Sequence, residues 1–315
     1  VCKNLYQSQK QEIKQELQWH AFLKSMAMRY PKGYLIAVGG SEDKGEDDII
    51  KKNKLDFFEQ GILKQFVELT SKKGKPRIEV ITTASSIPDE VGATYKRAFK
   101  KLGIDDVGHL KILTRQEADN PKFLERVEKC TGVWFSGGDQ LKLCSILGGT
   151  DLMDIIQDRY EEEPFVIAGT SAGAAAMSNS MMSGGDEARA YLKGEVQLTI
   201  GFGLLRDIII DTHFDARGRF GRLIQAIAAQ PGSIGVGLDE DTGVVIERGH
   251  KLKAIGSGSV VVIDGCYVTS NNIADIKDGM PLSISNVQVH VMTNSDMFDV
   301  ASREFTPVKF DLHHA

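Results

Sequence analysis

The sequence predicts an α/β protein: a predominantly parallel sheet flanked by helices, with antiparallel strands toward the C-terminus. Three observations carry this. Short apolar runs alternate with helical stretches from Gly33 to Gly169, as strands and crossover helices do in parallel sheets. Glycine-rich turns close several of the runs, at the strand ends where functional sites of such sheets collect. Beyond Gly232 the rhythm shortens to strands separated by turn residues, the pattern of hairpins that extend a sheet edge.

The elements follow in order. Residues 1–30 contain no Gly or Pro, and Leu17, Phe22 and Met26 share part of a helical face; they read as a helical extension before a single α/β domain over 31–315. "YLIAVGG" is a strand entering a glycine turn, and Asp48 to Ser71 is one long helical stretch. Strand "RIEVITTAS", helix "EVGATYKRAFKKLG", strand "GHLKIL" and helix "NPKFLERVEKC" come next. Strand "GVWFSGG", two helical segments and strand "FVIAG" complete the alternation. After an apolar strand ending at Asp211, the segments "SIGVGLDE", "TGVVIERG", "KLKAIG" and "SVVVID" are the short C-terminal strands.

Composition narrows the function. A formal net charge of -5 argues against a nucleic-acid partner, which calls for a basic surface. No apolar run approaches the roughly 20 residues that cross a bilayer, so no membrane partner is expected. Cys2, Cys130, Cys144 and Cys266 lack paired spacing. They read as free thiols, which favours the cytoplasm; with Val1 as the first residue, an extracellular protein is also compatible. "VGGSEDKG" has neither the dinucleotide glycine spacing nor the Walker pattern, and no His-Glu-x-x-His occurs. Neither a cofactor nor a metal is expected.

Chemistry centres on "FVIAGTSAGAAAM". Ser171 sits between Gly169 and Gly173 where a buried strand meets an Ala-rich helix start. It is either the nucleophile of a hydrolase, on the sharp elbow such a serine needs, or a small residue in a tight turn. A nucleophilic serine needs a base. Of seven histidines, His213 in "IIIDTHFDARGRFGRL" alone follows an apolar strand into a loop holding both acids and arginines. The base needs an acid to fix its tautomer. Asp211, Asp215 and Glu240 are candidates; Glu240 is preferred because it ends a strand, as Ser171 and His213 do.

The blocks "GYLIAVGGSEDK", "ITTASSIPDEVGATYKRAFKKLG", "VWFSGGDQLKL", "IAGTSAGAAAM", "DTHFDARGRFGRL" and "GVGLDEDTGVVI" occur in one order from Gly33 to about Ala301. In them the chain resembles the cyanophycinases, within the serine peptidase family that also holds peptidase E-type aspartyl dipeptidases. The resemblance implies a class I glutamine amidotransferase-like sheet, with serine where those enzymes carry cysteine. It implies Ser171 as nucleophile, His213 as base and Glu240 as acid. It places the oxyanion hole at the amides of Ala172 and of Gly138 or Asp139, with Gln140 as a neighbouring substrate contact.

The substrate implied is cyanophycin, a polyaspartate backbone with arginine on each side-chain carboxylate, cut to β-aspartyl-arginine. Arg217, Arg219 and Arg222 are candidates for its carboxylates, because the guanidinium fork matches carboxylate geometry. Asp211, Glu42 and Asp43 are candidates for its guanidinium. Thr212 stands where the resemblance leads one to expect glutamine, which implies an altered pocket. A homodimer is also implied. The alternatives are an aspartyl dipeptidase acting on short peptides and a noncatalytic binding protein on the same sheet.

Overall fold

The computed structural model describes residues 30–45, 55–72 and 74–308. The helical extension expected before residue 30 lies outside them. Five short strands form the parallel half: β1 (Tyr34–Val38), β2 (Ile78–Ile81), β3 (Val107–Leu110), β4 (Gly132–Phe135) and β5 (Val166–Thr170). Between them run α1 (Ile62–Ser71), α2 (Pro88–Lys101), α3 (Arg115–Ala118), α4 (Pro121–Lys129), α5 (Gln140–Leu147) and α6 (Asp151–Glu162). The strands lie in the order β1-β5-β4-β2-β3, each parallel to its neighbours.

Alternate residues of these strands feed two cores. Leu35, Ala37, Val133, Phe135 and Ile167 face one, whereas Ile36, Val38, Val80, Trp134 and Ala168 face the other. Covering both faces is why the strands read as unbroken apolar runs. Phe66 of α1 and Tyr95 and Phe99 of α2 surround Trp134, with ring centroids 5.3, 5.5 and 6.0 Å away. Each such fully buried side chain stabilises the fold by about 1.5–3 kcal/mol.

The chain then forms α7 (Ala172–Ala175), a hairpin of β6 (Ser180–Gly185) and β7 (Val196–Ile200), strand β8 (Ile208–Thr212) and α8 (Phe220–Ala229). Next come β9 (Ile234–Leu238), β10 (Thr242–Glu247), β11 (Lys251–Gly256) and β12 (Val260–Asp264). Two short strands, β13 (Ser270–Asn271) and β14 (Ile284–Ser285), precede β15 (Gln288–Met292), β16 (Met297–Asp299) and β17 (Glu304–Thr306). The antiparallel order β17-β16-β11-β10 joins the main sheet at β1 and brings it to nine strands.

Two expectations are corrected. The C-terminal strands do not all extend the main sheet. β9 runs parallel to β8, and together with β12 and β15 they make a separate four-stranded sheet. β9 is buried along its whole length; a Cβ at Gly235 would crowd Leu223 and one at Gly237 would crowd Phe214. These glycines admit close packing against a central strand. The helix expected from Asp48 is also shorter: α1 starts at Ile62, after a turn in which the Asp56 carbonyl accepts the amides of Gln60 and Gly61. Residues 48–54 of that stretch lie outside the described residues.

The β5–α7 elbow fixes how closely strand and helix approach. A Cβ on Gly173 would lie 2.6 Å from the Phe135 carbonyl oxygen, whereas one on Gly232 would meet nothing within 4 Å. Gly173→Ala should therefore destabilise by about 1–3 kcal/mol, while Gly232→Ala should stay within about 0.5 kcal/mol of the parent. Urea unfolding of the two variants checks the contrast.

Candidate active site

Ser171, His213 and Glu240 follow the carboxyl ends of β5, β8 and β9, and the two sheets bring these ends together. His213 Nε2 lies 3.0 Å from Ser171 Oγ, and His213 Nδ1 lies 2.8 Å from Glu240 Oε1. With Nδ1–H donating to the carboxylate, the Nε2 lone pair can accept the Ser171 hydroxyl proton. The bond from His213, helped by Ser41 and Arg217 against partial burial, holds the Glu240 carboxyl below its ordinary value. It remains an acceptor at neutral pH.

Backbone positions Ser171 and His213 directly, and Glu240 through its neighbour Asp241. Ser171 has φ 50° and ψ -111°, and His213 and Asp241 also have φ 50°, a region L-residues avoid unless their surroundings hold them. The hold comes from three successive carbonyls. Val38 O accepts from Ser171 N at 2.9 Å, Gly39 O from His213 N at 2.9 Å, and Gly40 O from Asp241 N at 2.8 Å. A Cβ on Gly39 would strike the Leu238 and Asp239 carbonyls, and one on Gly40 the His213 ring. Asp241 braces the same loop by accepting from Asp43 N at 2.8 Å and Ser257 Oγ at 2.7 Å.

A cavity of about 300 Å³ opens beside Ser171, with Gly138, Gln140, Ala172 and Arg217 in its wall. The amides of Ala172 and Gly138 have no acceptor within the described residues. Asp139 is different: its amide donates to Ala84 O at 3.0 Å, and its carboxylate caps α5 through Leu141 N and Lys142 N. Gly138 has φ 142°, and a side chain there would collide with Ala84 O. Gln140 Nε2 donates to Met182 O at 3.2 Å, tying the β6–β7 hairpin to the cavity.

The arginine block divides. Arg222 grips both oxygens of Asp211, at 2.7 and 2.8 Å, and Arg219 donates to Thr212 O at 2.7 Å and Glu187 at 3.1 Å. Asp211, Thr212, Arg219 and Arg222 are all buried, so these charges brace the strand end that carries His213. Arg217 is exposed at the cavity, without an ion-pair partner among the described residues.

Glu42 and Asp43 do not line this cavity. Glu42 is 2% exposed and faces inward, accepting from the Tyr95 hydroxyl and from Thr170 Oγ1 at 2.5 Å and pairing with Lys44 at 3.0 Å. Burial pushes its carboxyl up, but Lys44 and the two hydroxyls outweigh that and hold it below the ordinary value. It therefore links the glycine turn to the residue preceding Ser171. Sequence reasoning did not single out Ser41, Asp241 or Glu187 as site residues; the only signal was the glycine pair before Ser41, which marks a turn. Among the described residues no group of His, Cys, Asp and Glu is arranged to hold a metal ion.

The profile of Peptidase family S51 matches residues 51–254. The cyanophycinase of Trichormus variabilis is 35% identical over 287 residues, covering 90% of this chain and 92% of that protein. The cyanophycinase of Geminocystis herdmanii is 31% identical over 271 residues, covering 86% and 95%. A crystal structure of a peptidase from an acI-B1 Actinobacterium shares the fold, with a TM-score of 0.59 at 22% identity over 86% of this chain and 98% of that one.

The buried carboxylate yields a test. A carboxyl held below its unfolded value stabilises fully above that value, and the stabilisation is lost as pH falls through the folded value. Glu42→Gln should lower neutral-pH stability by about 1–3 kcal/mol. The gap from wild type should narrow on acidification from about pH 5 to about pH 3. Urea unfolding at a series of pH values reads it, and a gap independent of pH would show that the ionised carboxylate is not what stabilises.

Proposed function

The chain belongs to peptidase family S51, and from that premise we propose that it hydrolyses the backbone of cyanophycin to β-aspartyl-arginine, with Ser171 as nucleophile. The observation that carries the mechanism is the continuous Glu240–His213–Ser171 hydrogen-bonded chain. His213 takes the Ser171 proton as Oγ attacks the carbonyl carbon, and Glu240 stabilises the imidazolium. The new oxyanion is met by the amides of Ala172 and Gly138, preorganised donors that need little rearrangement. Gly138 is preferred to Asp139 because the Asp139 amide already has an acceptor. His213 then gives its proton to the departing amine, and water activated by His213 releases the acyl group.

Arg217 is the substrate-facing member of the arginine block, free to pair with an aspartate carboxylate. Arg219, Arg222 and Asp211 bound the same pocket as a fixed polar floor, with Thr212 and Gln140 on its sides. Two further readings rest on resemblance: the sheet is of the class I glutamine amidotransferase type, and the chain works as a homodimer. Light scattering at several concentrations tests the second; a constant monomer mass would remove it.

The decisive experiment incubates purified protein with cyanophycin and, separately, with a short aspartyl dipeptide, and identifies products by mass spectrometry. Release of β-aspartyl-arginine is expected from the polymer. Efficient dipeptide hydrolysis with intact polymer would instead make the chain an aspartyl dipeptidase. Ser171→Ala should lower turnover by about 10⁴-fold or more with the fold intact; near-native turnover would require another nucleophile.

A further inference from the structure

A second cavity, of about 720 Å³, lies at the opposite edge of the sheets. Its walls come from the segments that lead into β1, β8 and β9, from the end of α6, and from the β10–β11 turn. The amino ends of β1, β8 and β9 and the start of β11 thus surround it, whereas Ser171, His213 and Glu240 follow carboxyl ends. It is separate from the proposed catalytic cleft.

Its polar groups are unevenly satisfied. Arg303 pairs with Asp264 and donates to Gly232 O at 3.2 Å, and His250 Nδ1 bonds Asp299 at 3.0 Å. Arg206 and Arg248 line the cavity without a hydrogen-bond or ion-pair partner among the described residues. Arg248 occupies the first of two positive-φ positions in the β10–β11 turn, with φ 54° beside Gly249 at 71°. Asn or Asp is the inexpensive choice there. Tyr160 is 2% exposed, lines the cavity, and its buried hydroxyl has no partner among the described residues. A buried donor without an acceptor costs about 1–3 kcal/mol. Burial, and then Glu161, push its pKa up, so it stays a protonated donor.

Glu161 and Asp207 share the wall. The mixture of two guanidiniums that are unpaired among the described residues with two carboxylates disfavours a polyanion and suits a small molecule carrying both signs. We propose that this cavity binds an amino-acid- or dipeptide-sized zwitterion. Its carboxylates meet Arg206 and Arg248, a carboxylate oxygen or carbonyl accepts from Tyr160, and its cationic end faces Glu161 and Asp207. The ligand class follows from the charges of this cavity and not from the cyanophycin reading.

The test is calorimetric titration of the full-length Ser171→Ala protein with β-aspartyl-arginine, a probe that carries both signs. Binding at a site distinct from the cleft is expected. Adding Arg206→Ala and Arg248→Ala together should weaken that event by about tenfold or more, and Tyr160→Phe alone by about threefold, with unchanged circular dichroism. Because the readout is binding, it stands even where the protein fails to cut cyanophycin. An isotherm unaffected by these substitutions, or no binding outside the cleft, overturns the proposal.

Discussion

Three consecutive carbonyl groups, those of Val38, Gly39 and Gly40, anchor the site. Each accepts one amide, from Ser171, His213 and Asp241 respectively, at 2.8–2.9 Å. Each donor residue sits at φ 50°, so each anchor holds a backbone that would otherwise relax. The three residues come from chain segments far apart in sequence and from two different sheets. A single turn after β1 thus sets their mutual spacing, and the Gly39–Gly40 pair is required because side chains there would meet the Asp239 carbonyl and the His213 ring. Rigid backbone anchoring of this kind holds side chains at working distance without an ordering step during reaction.

Charge is distributed to support that turn. Glu42 ties it to Thr170 and Tyr95 in the interior, Asp241 ties it to Asp43 and Ser257, and Ser41 donates to Glu240. On the other flank, Asp211, Arg219, Arg222 and Glu187 form a network under the β8 end. Removing one member of such a network leaves a buried charge unpaired, which is more damaging than the pair is stabilising. Most acids and arginines near Ser171 therefore maintain geometry, and few remain to contact substrate.

This division explains what was legible in the sequence. The parallel half was readable because strands covered on both faces become continuous apolar runs, as in "YLIAV" and "GVWF". The separate sheet was not, because β9 reads as a glycine-rich alternating strand and only its neighbours β8 and β12 reveal a buried central position. Ser171, His213 and Glu240 could be singled out because each closes a strand. The inward turn of Glu42 could not, since an acid after a glycine turn looks the same whether it faces a cleft or a tyrosine hydroxyl. Likewise the block Arg217, Arg219 and Arg222 is uniform in sequence, and only the α8 start decides which guanidiniums reach Asp211.

Thr212 shows how specificity can vary on such a frame. Its amide donates to Asp211 Oδ1 at 2.9 Å and its carbonyl accepts from Arg219 at 2.7 Å. Both backbone groups are thus fixed by side chains other than its own. A change of side chain at this position alters what the cavity wall presents, while His213, the next residue, keeps its anchor on Gly39. Arg217 stands in the same relation, projecting from a loop whose own amide is bonded to His213 O. Because the proposed chemistry depends on main-chain anchors and the proposed recognition on side chains beside them, the pocket can be retuned without displacing the nucleophile or its base.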